Sequence, residues 1–368
     1  MFSCVSLNSR LSRQQFGNAS VKHQVTAYWQ WLRYCESRPR AGKRLLLISL
    51  DETSVSFAPD TGKGLVVIRS ARTAKAFDKK QDARTTVTYV ALVCDGDSMQ
   101  ERMPHFIITS KAKATLAQMH ALHASFQSNV HIWRGEKSSW NNSKLMQRIL
   151  VLIHKAVANK HDVQPVLILD VAPCHITQQV MQKARSLGVW LVYVPGQVTF
   201  LNQPLDTHCF SSFKTWLRRR YEELRSTSAD CVVNRLQWLR TLQKAKESFF
   251  DQRSWTGAFQ DTGARLPCSS LTKDLLAHTK PNVARCAAAL EPDAKLLELF
   301  WPRRRRMDYA HAALFRTPVA RMSGISSDNH AAAAKRPLPA SHVSIALSSR
   351  SNKQACRQYP ARPADDQI

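Results

Sequence analysis

Two short stretches limit what this chain can fold into more than any other feature. In PVLILDVAPCH (165–175), the apolar residues Val166–Leu169 run straight into Asp170; in LLLISLDETSVSF (45–57), an apolar start leads through Leu50 to Asp51. Continuous apolar runs of this length, rich in branched residues, read as strands buried on both faces of a sheet. An unpaired carboxylate is costly to bury. Each Asp therefore either caps a following helix or emerges at the C-terminal edge of the sheet, where α/β proteins place their chemistry. Two such strands suggest two carboxylates converging on one site, which mutual repulsion forbids unless a cation lies between them. Alternation along the strand puts Glu52 on the other side of the pleat from Asp51, so it reads as a solvated neighbour.

A third acid comes from FLNQPLDTHCFSSFKTWLRRRYEELR (200–225), read as a loop and then a long helix over 203–224. Asn202 is the expected N-cap, and Pro204 falls near the first turn, where its missing N–H costs nothing. Asp206, Phe210, Phe213, Leu217, Tyr221 and Leu224 recur at helical spacing on one face. Asp206 is then the first-turn member of the packed face, although an acid there also suits the helix dipole. Lys214, Arg218, Arg219, Arg220 and Arg225 lie on other faces. Three carboxylates in a strongly basic chain suit two-metal phosphodiester chemistry: hard oxygen ligands hold Mg²⁺ with several waters retained, and two ions about 3.5–4 Å apart activate one oxygen and stabilise another.

LDET (50–53), LILDVAPCH (167–175) and VPGQVTFLNQPLDTHCFSSFK (194–214) together resemble the DDE superfamily of transposases and endonucleases, in its mariner/pogo-like branch. Weaker matches at TTVTYVALVCDGD (85–97), HFIITSKAK (105–113) and KSSWNNSKLMQRILVLI extend the resemblance over about 45–225. It implies a ribonuclease H-like α/β fold, a mixed sheet flanked by helices. It also implies that Asp51, Asp170 and Asp206 are the catalytic metal ligands for two Mg²⁺ or Mn²⁺ ions. His175 matches the family's auxiliary His, five residues after the second Asp, where a helix-start His with a satisfied hydrogen bond is the plainer reading. The 35 residues between Asp170 and Asp206 agree with the family's spacing. Two departures stand out. Val171 occupies a position where the family commonly has Asn. The family also carries helix-turn-helix modules ahead of the catalytic domain, whereas 44 residues precede Leu45 here, so recognition of specific transposon ends is not expected.

With 53 Lys and Arg against 27 Asp and Glu, the net charge of +26 calls for a polyanionic partner, and DNA is the expected one. Lys214, Arg218 and Arg219, with Arg303, Arg304, Arg305 and Arg306 of the PRRRRM run, are the candidate phosphate contacts; that run also suggests nuclear targeting. A homodimer is left open. No apolar stretch approaches the ~20 residues needed to cross a bilayer, so no membrane partner is expected. The nine cysteines are scattered without a C-x-x-C pair, which excludes zinc-finger and disulfide frameworks. Cys174 and Cys209, near the proposed site in sequence, read as small buried residues.

The order expected along the chain is a basic N-terminal segment and linker helix (1–44), a catalytic domain (45–225), a helical extension (226–300) and a disordered basic tail (301–368). Within the catalytic domain, strands are expected at 45–57, 64–69, 85–94, 105–109, 165–170 and 189–194, with helices at 113–125, 142–158, 175–187 and 203–224. The helical stretch 21–36 is expected to dock against this domain. The function this implies is metal-dependent cleavage of DNA phosphodiesters, with strand transfer left open as a further step. The rival readings are a catalytically silent nucleic-acid-binding protein derived from a transposase, and a cellular ribonuclease H-like nuclease acting on RNA or hybrids.

Overall fold

The apolar run before Asp51 forms the central strand of a six-stranded mixed sheet. The computed structural model describes residues 18–39, 42–59, 85–124, 129–136, 138–228, 232–268, 271–279, 287–292 and 300. In it, β1 (Arg44–Ser56) pairs antiparallel with β2 (Thr86–Cys94), which pairs antiparallel with β3 (His105–Ser110). On its other side β1 pairs parallel with β5 (Val163–Leu169), which pairs parallel with β6 (Trp190–Tyr193). β4 (Val130–Gly135) adds a parallel strand beside β3, so the order is β4-β3-β2-β1-β5-β6. This is the mixed sheet flanked by helices expected of a ribonuclease H-like domain. The strand expected at 64–69 and the tail beyond 301 lie outside the described residues.

Leu46, Leu47, Ile48 and Leu50 are wholly buried, as are Val166, Leu167, Ile168 and Leu169. Each such side chain contributes about 1.5–3 kcal/mol of transfer free energy, so neither strand can slip without exposing several of them. The sequence reading missed β4. Its residues VHIWRG carry His, Arg and Gly and are mostly half-buried, as at a sheet edge, and only the long-range pairing to β3 makes them a strand.

Helices form where apolar spacing and caps agree. α1 (Asn18–Glu36) and the short α2 (Asp97–Gln100) are followed by α3 (Leu116–Ala124) and α4 (Ser143–Val157). At the start of α4, Asn142 accepts from the Leu145 N–H at 3.0 Å, and Leu145, Met146, Ile149, Leu150, Ile153 and Val157 form its buried stripe. α5 (Gln178–Ser186) starts three residues later than expected, because Thr177 caps it and 173–176 form a turn.

As expected, α1 docks onto the domain. Trp29 and Trp31 are wholly buried, and Trp29 Nε1 donates to the Thr262 carbonyl at 3.1 Å. Arg33 Nη2 donates to the carbonyls of Gly263 and Ala264. Gly263 has φ +73°, and a Cβ there would lie 2.5 Å from Trp29 Nε1. Only glycine satisfies both the backbone and the indole.

Candidate metal centre

β1 and β5 bring the first two acids together by register alone. The last parallel pair is Ser49 with Ile168, and Asp51 and Asp170 each lie two residues further on. A step of two returns to the same face of a strand, so both aspartates leave one side of the sheet at one level. β5 stops at Leu169 while β1 runs on to Ser56, so Asp170 emerges where β1 has lost its partner strand on that side.

The third acid arrives by a route the sequence did not reveal. Instead of one helix over 203–224, α6 (Thr199–Asn202) ends, Gln203 is extended, and Leu205–Cys209 form a π-helical turn before α7 (Phe210–Thr227). Asn202 is therefore no N-cap: it is buried, and its Nδ2 donates to the Thr262 carbonyl at 3.2 Å. The π turn adds a residue to the helical repeat. Leu205 and Cys209 point inward while Asp206 leaves the packed stripe that Phe210, Phe213, Leu217 and Tyr221 continue. Asp206 keeps an exposed surface, not the buried position expected, and its charge acts on the carboxyl of Asp51. Gln203, 1% exposed, anchors the turn by donating through Nε2 to the Leu50 carbonyl at 3.0 Å.

The electrostatics agree with this convergence. Burial pushes the Asp51 carboxyl well above the usual carboxylate range, and the charges of Asp206, Glu52 and Asp170 add to the rise. Asp206 is raised by partial burial and by Asp170, against the Asp51 hydrogen bond and the Lys214 charge. For Asp170, burial works upward but is outweighed by the hydrogen bond and charge of His175 and by the Ala172 N–H, so its pKa falls. A hard cation held among these carboxylates would relieve such crowding.

His175 is wholly buried and links two acids: Nδ1 lies 2.6 Å from Asp170 Oδ1 and Nε2 lies 3.1 Å from Glu52 Oε1. Burial alone would lower its pKa, but the Glu52 charge and the Asp170 hydrogen bond lead the contributions that raise it well above normal. The cation then donates from both nitrogens. Asn141 Nδ2 also donates to Glu52 Oε1, and the Tyr193 hydroxyl donates to the His175 carbonyl. Glu52 is thus not the solvated neighbour expected. Past the end of β5, the turn carrying His175 and the segment carrying Asn141 both meet Glu52.

Val171, where the family commonly has Asn, packs against the core, and a Cβ on Gly196 would come within 3.0 Å of its Cγ2. Cys209 is buried as expected, whereas Cys174 is only half-buried. Lys214, Arg218 and Arg219 are exposed on α7, and Lys214 is near enough for its charge to act on Asp206. Arg303, Arg304, Arg305 and Arg306 lie outside the described residues. Asn141 and Gln203 were not singled out from sequence, and Glu52 was read only as a solvated neighbour.

Residues 83–256 match the family model described as DDE superfamily endonuclease. No curated protein matches the chain. Among solved structures, the chain is similar to a Mos1 transposase paired-end complex with left transposon end, at 13% identity and a TM-score of 0.35, over 67% of this chain and 63% of that one. It is also similar to a Mos1 mariner paired end complex with Mn (13%, TM-score 0.34, 67% and 64%) and one with Mg (14%, TM-score 0.32, 65% and 64%). The chain spans just under two thirds of the length of these proteins.

Proposed function

From the match of residues 83–256 to the family model described as DDE superfamily endonuclease, we propose that the chain is a transposase-derived, mariner/pogo-like nuclease that cleaves DNA phosphodiesters with divalent metal. One observation carries this reading: Asp51 on β1 and Asp170 past the end of β5 each lie two residues beyond the last parallel pair, on one side of the sheet, and the charges of Asp206 and Asp170 both push the Asp51 carboxyl upward. The donor set is made of hard carboxylate oxygens, which fits Mg²⁺ or Mn²⁺. Asp51, Asp170 and Asp206 would hold the metal, two ions in all. Bound there, it supplies Lewis acidity to the attacking water and the leaving oxygen.

The chain's own residues set the stage. Asp170 gives Oδ1 to His175 and to the Ala172 N–H, so its carboxylate is held in one orientation. His175 is held in turn by Glu52, and Glu52 by Asn141. Gln203 fixes the distance between the turn bearing Asp206 and the strand bearing Asp51. Lys214, beside Asp206, and the exposed Arg218 and Arg219 hold backbone phosphates without reading sequence. Strand transfer, in which a freed 3′-hydroxyl attacks a second duplex, uses the same constellation, and DNA as substrate together with the PRRRRM run suits a nuclear protein.

The test is to incubate the full chain with labelled duplex DNA and Mg²⁺ or Mn²⁺ beside Asp170→Asn. Metal-dependent nicking that the variant loses, with DNA binding retained, is the expected result. Equal behaviour of the two proteins, with binding intact, would instead establish the silent nucleic-acid-binding reading.

A further inference from the structure

We infer that the chain has a second metal site, distinct in chemistry from the carboxylate centre, in which Glu52, Cys174 and His175 bind Zn²⁺ or a similar borderline cation. A carboxylate oxygen of Glu52, Cys174 Sγ and a ring nitrogen of His175 lie within 4.8 Å of one another, the one such group of His, Cys and acidic residues among those described. Nδ1 of His175 is committed to Asp170 at 2.6 Å, which leaves Nε2, already 3.1 Å from Glu52 Oε1, as the ligand. Contraction of this triangle by a small side-chain shift brings the atoms to the distances of a zinc ion, about 2.0–2.3 Å from nitrogen, oxygen and sulfur.

Three features favour a built site over a chance cluster. The ligand set joins one thiol, one imidazole and one carboxylate, a combination that selects Zn²⁺ or Co²⁺ over Mg²⁺. The imidazole already has its outer partner, since Asp170 on Nδ1 and a metal on Nε2 form the carboxylate–histidine–metal arrangement that fixes the ring and its tautomer. Glu52 is steadied from outside by Asn141. Cys174 and Glu52 are half-buried and His175 is wholly buried, so the thiol and the carboxylate face the side from which an ion can arrive, with the imidazole behind them. Binding replaces the Glu52–His175 hydrogen bond, and because thiol and imidazole bind a metal in their deprotonated forms, any proton they carry passes to solvent. Three protein ligands leave a fourth position for water.

This inference does not require the nuclease reading, and its test keeps them apart. The full chain is titrated with Co²⁺ in excess Mg²⁺, and the thiolate-to-cobalt charge-transfer absorption is followed, with Zn²⁺ then added as competitor. The expected result is a band that saturates at one ion per chain, resists Mg²⁺, and disappears with Zn²⁺. Cys174→Ser should lose the band while keeping its thermal unfolding transition, and Glu52→Gln should weaken binding by about tenfold or more. Asp51→Asn should keep the band. Absence of the band in the natural chain, its survival in folded Cys174→Ser, or its loss in folded Asp51→Asn would overturn the assignment. A chain that shows the band but nicks no DNA would support this site and remove only the nuclease reading.

Discussion

Gln203 donates through Nε2 to the carbonyl of Leu50 at 3.0 Å and so ties the turn that carries Asp206 to the strand that carries Asp51. The amide is buried, and its Oε1 has no hydrogen-bond partner among the described residues. A buried, half-satisfied amide is expensive, and it sits where two like charges must be held together. Gln203→Ala should therefore destabilise the fold by about 1–3 kcal/mol and weaken Mn²⁺ binding further than stability alone explains. Thermal unfolding and Mn²⁺ titration of the same preparation check this; an unchanged Mn²⁺ affinity would show that the tether does not set the site.

The raised carboxyls predict an unusual pH response. Asp51 has a folded pKa above its ordinary 3.8, so its contribution is fully present below that value and is lost as pH rises through the raised one. Asp206 acts in the same direction. Metal-free protein should lose stability over this window, Asp51→Asn should flatten the loss, and Mg²⁺ should restore what is lost. Unfolding temperatures across pH, with and without chelator, provide the measurement. Parallel curves for the two proteins would mean that Asp51 carries no strain.

Phosphate binding by α7 makes a separate prediction. Replacing Lys214, Arg218 and Arg219 together by Ala should weaken binding to unrelated duplexes alike and flatten the dependence of log K on log salt by about 0.9 for each phosphate no longer neutralised. Fluorescence anisotropy at several salt concentrations measures the slope. A slope identical to that of the natural chain would move the DNA path off this helix.

Gly263→Ala tests the docking of α1. The substitution puts a methyl group against Trp29 Nε1 at a residue with φ +73°, so backbone strain and overpacking together cost about 1–3 kcal/mol. A lower unfolding temperature with unchanged DNA affinity of the folded protein is expected. An unchanged unfolding temperature would show that α1 is not held at this point.

Much of the site could be read from the chain because its strands announce themselves. Buried parallel strands must be continuously apolar, so a carboxylate at the end of each marks where β1 and β5 leave the core. Glu52 shows where that reading stops. Strand alternation correctly set it opposite Asp51, but whether that side meets water depends on a turn 123 residues away. The edge strand β4 and the π turn escaped for related reasons: one takes its pairing from a distant partner, the other shifts a helical repeat by one residue to satisfy Leu205 and Cys209.

By itself the sequence determined the central strands, the two aspartates at their ends, the apolar stripe of α7 and the basic character of the whole, since each follows from local periodicity and composition. Tertiary structure alone decided that Asp206 reaches Asp51 from a π turn, that His175 bridges Asp170 and Glu52, and that Cys174 stands beside them. Those relationships join segments far apart in the chain, and their free energy exists only once burial has removed the water that would otherwise have solvated each charge separately.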